Sequence, residues 1–227
     1  MTFNQIKMAI YATYLTNVYG FKLKKTDDNK EKKRLRIEYS KTLLDKLNIE
    51  VKIINEDKIP NDGKYLLLSN HRSIIDPSIV ELATRNKSIY GYWIAKKELY
   101  NSFFFGMFVR NGGTILIDRE SSQMSSFFKD IRKVVKNGDS VYIFPEGTRN
   151  KSDEPLSEFK GGAEKIAKIN KIDILPVFIK NRADKILIDA IKDSSKRRVV
   201  EIEIGDLISY KDTDKPIKDL YKERFGI

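Results

Sequence analysis

The sequence predicts a single α/β domain with a largely parallel central sheet flanked by helices, preceded by an N-terminal hairpin of two amphipathic helices. From about Val51 onward, short apolar runs alternate with stretches of helical periodicity, a pattern typical of parallel strands joined by helical crossovers. Before that point, the chain carries two longer stretches whose apolar residues recur every three or four positions. We therefore divide the chain into residues 1–49, the hairpin, and residues 50–227, the α/β domain.

The first helical stretch places Phe3, Ile6, Ile10 and Tyr14 at steps of three and four residues, and lysines follow it. Aromatic side chains at headgroup depth, next to lysines that meet anionic lipid, favour a helix lying in the membrane interface. An amphipathic helix packed on the protein core fits the same spacing. The charge-free run 8–21 is shorter than the ~20 apolar residues that a spanning helix needs, so we expect no transmembrane segment.

The second helical stretch, residues 31–49, has Leu35, Ile37, Leu43, Leu44 and Leu47 roughly on one side and a basic outer face. Charge of this kind is most often a solvated face, and only its nearness to the first helix suggests lipid contact. A short polar turn joins the two stretches, which predicts the hairpin.

The α/β part is predicted from the alternation of short apolar runs with stretches of helical periodicity. Seven apolar runs are expected as strands: VKIIN, KYLLLSN, SIYGYWIA, GGTILIDRE, SVYIFPEG, DILPVFIK and VVEIEIGD. Four stretches between them are expected as helices: 76–85, 97–109, 122–137 and 159–169. The last strand lies in segment 190–212, which has polar ends and is predicted to form a hairpin or an edge-strand addition.

The composition limits the function. Lys and Arg total 43 against 32 Asp and Glu, a formal charge of +11, which suits a surface that meets nucleic acid, phosphorylated ligands or anionic lipid. The chain has no cysteine, which excludes disulfides, thiolate catalysis and cysteine metal sites, and its single histidine argues against a histidine-rich metal site. Because the basic residues are spread along the chain without a nucleic-acid-binding signature, we expect no nucleic-acid partner.

The single histidine, His71, lies just beyond the apolar run 65–68 and five residues before Asp76. In open α/β sheets this edge is where ligands bind. Pro77 suits the first turn of a helix, which predicts Asp76 as its N-cap. Its carboxylate can then fold back onto one imidazole nitrogen, leaving the other to take a proton from a substrate hydroxyl. A surface histidine that happens to precede an aspartate fits the same spacing.

A second polar group, the turn 145–149, follows the apolar run 141–144. In this turn Gly147 lets backbone approach a ligand, Thr148 offers a hydroxyl, and Arg149 offers a planar fork that matches phosphate. Ordinary turn chemistry explains the same residues equally well.

Four ordered blocks between residues 66 and 179 resemble the 1-acylglycerol-3-phosphate acyltransferase family. The first block is NHRSIIDP at 70–77, with its histidine and aspartate separated by four residues. The second comprises AKKEL at 95–99, the aromatic run that follows it, and IDR at 117–119. The third is FPEGTR at 144–149, and LPV at 175–177 is similar to the fourth.

The resemblance implies transfer of a fatty acyl group from a thioester, on coenzyme A or acyl carrier protein, to the free hydroxyl of 1-acylglycerol 3-phosphate. It implies His71 as the general base and Asp76 as the carboxylate that orients it, with no metal or redox cofactor. Another acceptor, such as glycerol 3-phosphate or a different lysophospholipid, fits the same blocks. A non-enzymatic basic protein that binds lipid or nucleic acid is the remaining alternative.

The resemblance also implies six residues near the acceptor phosphate: Arg149, Gly147, Thr148, Glu146, Lys96 and Arg119. Because Glu146 is acidic in a site for an anion, we expect it to orient Arg149 or a substrate hydroxyl. Since the implied substrates reside in lipid, we expect a peripheral or monotopic protein on the cytoplasmic face of the membrane, in contact with anionic lipid.

Overall fold

The computed structural model describes residues 2–118, 124–212 and 214–227, and within them the chain forms eight α-helices and seven strands. The helices are α1 (Phe3–Leu23), α2 (Asn29–Lys46), α3 (Asp76–Ala83), α4 (Gly106–Asn111), α5 (Ser125–Lys136), α6 (Gly162–Asn170), α7 (Ala183–Lys192) and α8 (Ile217–Phe225). The strands are β1 (Ile49–Ile54), β2 (Leu66–Ser69), β3 (Gly91–Lys96), β4 (Thr114–Ile117), β5 (Ser140–Ile143), β6 (Ile174–Ile179) and β7 (Arg198–Ile204).

The seven strands form one sheet in the order β1-β7-β6-β2-β5-β3-β4. Only the pairing of β6 with β7 is antiparallel among the described strands, which confirms the prediction of a largely parallel sheet. All four residues of β2 are buried, because this central strand is covered on both faces.

The edge position expected for the last strand is wrong, because β7 lies inside the sheet between β1 and β6. Its alternation of apolar and acidic residues is typical of an edge. In the structure two of its glutamates are paired with lysines carried by neighbouring chain segments. Lys52 reaches Glu201 at 2.8 Å, and Lys180 reaches Glu203 at 2.6 Å. Cross-strand charge pairs of this kind let a polar face lie within a sheet.

Helices cover both faces of the sheet. Helices α1, α2, α3 and α7 pack on one face in a core that includes Leu67, whereas α5, α6 and α8 pack on the other with Leu66 and Leu68. This division follows from the strand period of two residues, which sends successive side chains to opposite faces. The predicted helix at 97–109 is instead a 3-10 turn, Lys97–Asn101, followed by α4. Between this turn and α4, the Oγ of Ser102 accepts hydrogen bonds from the backbone N–H groups of residues 104 and 105, which interrupts the helix.

The N-terminal hairpin has local reasons to form. The hydroxyl of Thr2 and the side chain of Gln5 make a reciprocal capping box at the start of α1, and the carboxylate of Asp28 caps α2. The second half of α1 packs on the core, where Leu15 and Leu23 are buried. No helix in the described ranges is both long and apolar enough to cross a membrane. The division of the chain after residue 49 stays a prediction, since the hairpin and the sheet share one core.

Candidate active site

The carboxyl ends of β2, β3, β4, β5 and β6 lie along one edge of the sheet, because these five strands run parallel. His71 follows β2, and the turn 145–149 follows its direct neighbour β5. Lys96 ends β3, and Asp118 follows β4. Arg119, predicted near the phosphate, lies outside the described residues. The topology therefore brings the histidine, the turn and the predicted lysine to the edge where ligands bind in open sheets.

His71 and Asp76 form a hydrogen-bonded pair. Nδ1 of the imidazole lies 2.8 Å from Oδ2 of the carboxylate, whose side chain is fully buried. The same oxygen accepts the backbone N–H groups of Arg72 at 2.6 Å and Ser73 at 2.7 Å. An ionised carboxylate can only accept, so Nδ1 carries the proton and Nε2 is left with its lone pair. About 18% of the imidazole side chain is exposed, which keeps it within reach of a ligand.

The side chain of Asp76 does not cap α3, contrary to the prediction from sequence. Helical hydrogen bonding begins one residue earlier, where Ile79 N–H donates to the carbonyl of Ile75 at 3.1 Å, so Asp76 is already the first helical residue. Its carboxylate turns back toward the preceding loop, whose N–H groups have no strand or helix partner of their own. The aspartate therefore fixes the loop and the imidazole together.

Aromatic rings hold the other side of the imidazole. Phe144 stacks on His71 with ring centroids 4.0 Å apart and an interplanar angle of 10°. Trp93 stacks in turn on Phe144 at 5.1 Å, and its indole N–H donates to the buried carboxylate of Glu81 at 2.7 Å. The sequence pattern assigns no role to these aromatic residues, although Phe144 opens the third block. Their apolar character predicts only burial, and the stack depends on β5 lying between β2 and β3 in the sheet.

Glu146 braces the site from within. It is 2% exposed, accepts the backbone N–H of His71 at 2.7 Å through one carboxylate oxygen, and accepts the N–H of Ser157 at 2.8 Å through the other. Among the described residues Glu146 forms no hydrogen bond or ion pair with Arg149, and the expectation that it orients Arg149 or a substrate hydroxyl stays a prediction. Both of its oxygens are used to join the loop after β2 to the loop after β5.

The turn after β5 presents its polar groups to solvent. Gly147 has a φ of +71°, a left-handed conformation that side chains disfavour, which explains the glycine. Thr148 and Arg149 are exposed, and Arg149 forms no hydrogen bond or ion pair with any described residue. The next residue, Asn150, donates its backbone N–H to the carbonyl of His71 at 2.7 Å. A free guanidinium thus lies one residue from a backbone contact with the histidine.

Lys96 is exposed at the same edge and makes no ion pair with a described residue, whereas its neighbour Lys97 pairs with Asp118 at 3.0 Å. Asn70, which precedes the histidine, has an architectural contact. Its side-chain amide exchanges two hydrogen bonds with the backbone of Ile179, at 3.0 and 2.8 Å, which ties the ends of β2 and β6 together. Neither hydrogen bond could be read from the sequence, because the two residues lie 109 positions apart.

The arrangement suits base catalysis on an anionic substrate. An imidazole whose proton-bearing nitrogen faces a buried carboxylate is oriented to take a proton with its other nitrogen. An unpaired guanidinium nearby offers the planar donor pair that matches a phosphate. The site residues chosen from sequence thus lie exposed or accessible at one sheet edge, apart from the buried Asp76 and Glu146 and from Arg119, which lies outside the described residues. Their roles in catalysis stay predictions.

Comparisons with known proteins agree with this description. A protein-family model described as acyltransferase matches residues 50–180. A 1-acyl-sn-glycerol-3-phosphate acyltransferase of Streptococcus pneumoniae is 40% identical over 124 residues, which are 54% of this chain and 44% of the relative. One of Bacillus subtilis is 32% identical over 126 residues, 56% of this chain and 60% of the relative. The chain thus spans about half the length of the curated relatives it matches.

A solved structure extends the comparison of the fold. The crystal structure of the 1-acyl-sn-glycerophosphate acyltransferase PlsC from Thermotoga maritima aligns with a TM-score of 0.71, covering 98% of this chain and 93% of that one. The aligned sequences are 21% identical, so this likeness establishes a shared fold. It includes the N-terminal helices, which lie outside the residues matched by the family model.

Proposed function

The chain belongs to the acyltransferase family, and from this we propose that it moves a fatty acyl group from an acyl thioester to the free hydroxyl of 1-acylglycerol 3-phosphate, giving phosphatidic acid. The observation that carries the proposal is the His71–Asp76 pair at the sheet edge that also presents Arg149. The names of the curated relatives support 1-acylglycerol 3-phosphate as the acceptor.

His71 acts as the general base. Its Nε2 takes the proton of the acceptor hydroxyl while that oxygen attacks the thioester carbonyl carbon, so a C–O bond forms and the C–S bond breaks. The imidazolium then returns the proton to the departing thiolate, which leaves as a free thiol. Asp76, 2.8 Å from Nδ1, stabilises the imidazolium between these steps, and Phe144 keeps the ring plane fixed. The transfer is direct and needs no covalent acyl-enzyme.

Arg149 binds the acceptor phosphate. It is exposed beside the histidine loop and has no carboxylate partner among the described residues, so its charge is available to a ligand. Gly147 and Thr148 shape the turn that presents it, and Lys96 adds a positive charge at the end of a nearby strand. Glu146 contributes by joining the two loops, which fixes the distance between the base and the phosphate site.

The enzyme acts at the cytoplasmic face of a membrane, as a peripheral or monotopic protein. The outward side of α1 is apolar, with Phe3 79%, Ile10 66% and Tyr14 67% exposed. Phe103, in the segment that precedes α4, is 80% exposed. Gly20 of α1 packs closely against Met107 of α4, which brings these two segments side by side. Exposed apolar residues next to lysines suit the headgroup region of an anionic bilayer.

The first test measures phosphatidic acid formed by purified protein in mixed micelles of detergent and 1-acylglycerol 3-phosphate, with palmitoyl-coenzyme A or palmitoyl-acyl carrier protein as donor. We expect His71→Ala to lower kcat by ~10²–10⁴-fold, because general-base catalysis is worth about that factor, and to leave the KM for the acceptor within a few-fold. Asp76→Asn should also lower kcat, although this variant keeps the imidazole of His71.

Lys151→Ala is the matched control, since Lys151 is exposed on the neighbouring loop and has no assigned role. Thermal unfolding of each variant shows whether a loss of turnover reflects chemistry or folding. Near-normal turnover of folded His71→Ala would contradict the mechanism. If the protein acylated glycerol 3-phosphate or another lysophospholipid but not 1-acylglycerol 3-phosphate, His71 would keep its proposed role as the base. The acceptor would then be a different one from the one proposed.

A further inference from the structure

Helix α5 carries four cations on its exposed side and one carboxylate, Asp130. The cations are Lys129, Arg132, Lys133 and Lys136, and none of them forms an ion pair within the described part of the chain. On the basic helix α2, by contrast, two of the four exposed cations are neutralised by partners on the same helix: Arg34 by Glu31 and Glu38, and Lys41 by Asp45. The charge on α5 is therefore free to act on something outside the chain.

The positive surface continues onto neighbouring elements. Lys165 on α6 and Lys64, just before β2, are exposed and also lack an ion-pair partner among the described residues. A shallow depression of about 300 Å³ lies between the two helices, with Lys64 and Arg132 on its rim and the side chains of Val135 and Ile169 contributing apolar surface. We call the six cations of α5, α6 and residue 64 the α5–α6 cation strip.

Helix α5 begins at the proposed catalytic edge, and its cations start at its fifth residue, Lys129. Lys64, just before β2, lies at the opposite edge. Strand β4 ends at the catalytic edge and β5 begins at the opposite one, so α5, which connects them, runs from the catalytic edge toward the amino ends of the strands. Its 12 residues span about 18 Å. A partner docked on these cations thus lies along α5, with one end toward the edge that holds His71.

The strip faces away from the proposed membrane side. Helices α1 and α2 cover one face of the sheet, and α5 and α6 cover the other. A bilayer that contacts the outward side of α1 therefore cannot contact α5. The free cations on α5 are available to an anionic partner from solution, and Ile169, 47% exposed, adds an apolar patch that a protein surface can bury.

We propose that the α5–α6 cation strip docks an acyl carrier protein, the acidic protein that presents the acyl chain as a thioester. This inference rests on the proposed function and names the donor that the same site takes. Opposite charges steer association, so the strip raises the rate of encounter and the affinity for a carrier-bound donor. A donor on coenzyme A needs only the few charges of a nucleotide and is little affected by the strip.

A structural role for the same cations leads to a different expectation. Lys133 and Lys136 lie in the last turn of α5, where positive charge favours the helix dipole. If that were their purpose, removing them would lower thermal stability and affect both donors alike. A donor-specific effect at unchanged thermal stability distinguishes docking from helix stabilisation.

The test compares wild type with a variant carrying Lys129→Glu, Arg132→Glu and Lys133→Glu, and with a milder variant carrying Gln at the same positions. The control reverses three exposed cations on and after α7, on the opposite face: Lys185→Glu, Lys192→Glu and Lys196→Glu. Initial rates are measured with palmitoyl-acyl carrier protein and with palmitoyl-coenzyme A. Fluorescence anisotropy of labelled carrier protein measures docking without turnover.

We expect the Glu variant to raise the KM for the carrier-bound donor and the Kd for the carrier at least tenfold, the Gln variant to do so less, and the control to stay within twofold. Kinetics with palmitoyl-coenzyme A and the melting temperature should be unchanged. The proposal would be overturned if the Glu variant lost turnover equally with both donors, or if its affinity for the carrier were unchanged. It would also be overturned if the variant lost sedimentation with anionic vesicles while its affinity for the carrier stayed the same. Carrier binding without any phosphatidic acid from wild type would instead contradict the proposed function alone.

Discussion

The imidazole of His71 is held through four separate contacts. Its Nδ1 meets Asp76, its ring face meets Phe144, its backbone N–H meets Glu146, and its carbonyl accepts from Asn150. Two of these contacts are made by the ring and two by the backbone that carries it, so the ring has little freedom to turn. A base held in this way loses little orientational entropy when the substrate arrives, which is one source of catalytic advantage.

Arg149 gives the sharpest prediction for a single residue. Hydrogen bonds to charged groups are worth about 1.5–3 kcal/mol, so Arg149→Ala should raise the KM for 1-acylglycerol 3-phosphate by ~10- to 150-fold. The KM for the acyl donor should stay within about threefold, because the donor does not use this guanidinium. Steady-state kinetics with each substrate varied in turn measures both, and Lys151→Ala serves as the exposed control. An equal rise in KM for both substrates would contradict the proposal that Arg149 binds the acceptor phosphate.

The sequence identifies the His71–Asp76 pair well, because the chain has one histidine and the partner lies within one loop. The role of Glu146 could not be identified, since its acceptor bond to the histidine N–H joins residues 75 positions apart. An acidic residue in a turn suggests exposure, and only the neighbouring positions of β2 and β5 bury it. Local chemistry is thus readable from sequence, whereas contacts between loops require the order of the strands.

At the scale of elements, α2 and α3 are joined by buried charges. Arg36 is 2% exposed and pairs with Glu81, 4% exposed, while its guanidinium also donates to the carbonyls of Gly91 and Gly112 at 2.8 and 2.9 Å. Glu81 in turn accepts the indole N–H of Trp93, the outer ring of the aromatic stack. The hairpin and the catalytic edge are therefore connected through one buried carboxylate.

Glu81→Leu should lower the free energy of unfolding by about 3–5 kcal/mol, because it leaves the charge of Arg36 buried without its partner. The double variant Arg36→Met with Glu81→Leu should regain much of that loss, since well-packed apolar residues often replace a buried pair at little cost. Urea denaturation measures the free energy of unfolding of the wild type and of both variants. Arg34→Ala, which breaks only exposed pairs, should leave the urea midpoint nearly unchanged. A Glu81→Leu variant no less stable than Arg34→Ala would show that the buried pair is dispensable.

Element types followed from the sequence where periodicity was unbroken, as in the fully buried β2 and the strongly amphipathic α5. Two further helices, α7 and α8, were not anticipated, because their surroundings suggested a hairpin and a polar end. The predicted helix at 97–109 failed for a different reason, since the hydroxyl of Ser102 competes for the backbone N–H groups that a continuous helix would use. Side-chain competition of this kind is invisible to a hydrophobic pattern.

On the scale of the whole molecule, the sheet separates two surfaces of different chemistry. The side covered by α1 exposes large apolar residues, and the side covered by α5 exposes unpaired cations. The edge that carries His71 lies between them, so the proposed lipid acceptor and the proposed soluble donor would approach it from different sides. This separation follows from the placement of the crossovers on both faces of a parallel sheet.

The apolar side of α1 is best tested by substitution, because deleting α1 would also remove Leu15 and Leu23 from the core. Ile10→Asp with Tyr14→Asp places two charges where 66% and 67% of these side chains are exposed, so folding should be unaffected. Each apolar side chain buried in lipid is worth about 1.5–3 kcal/mol, so sedimentation with vesicles containing anionic lipid should fall at least tenfold. Turnover in detergent micelles should be retained. Ile188→Asp with Leu207→Asp is the control, and an equal loss from both variants would place the membrane contact elsewhere.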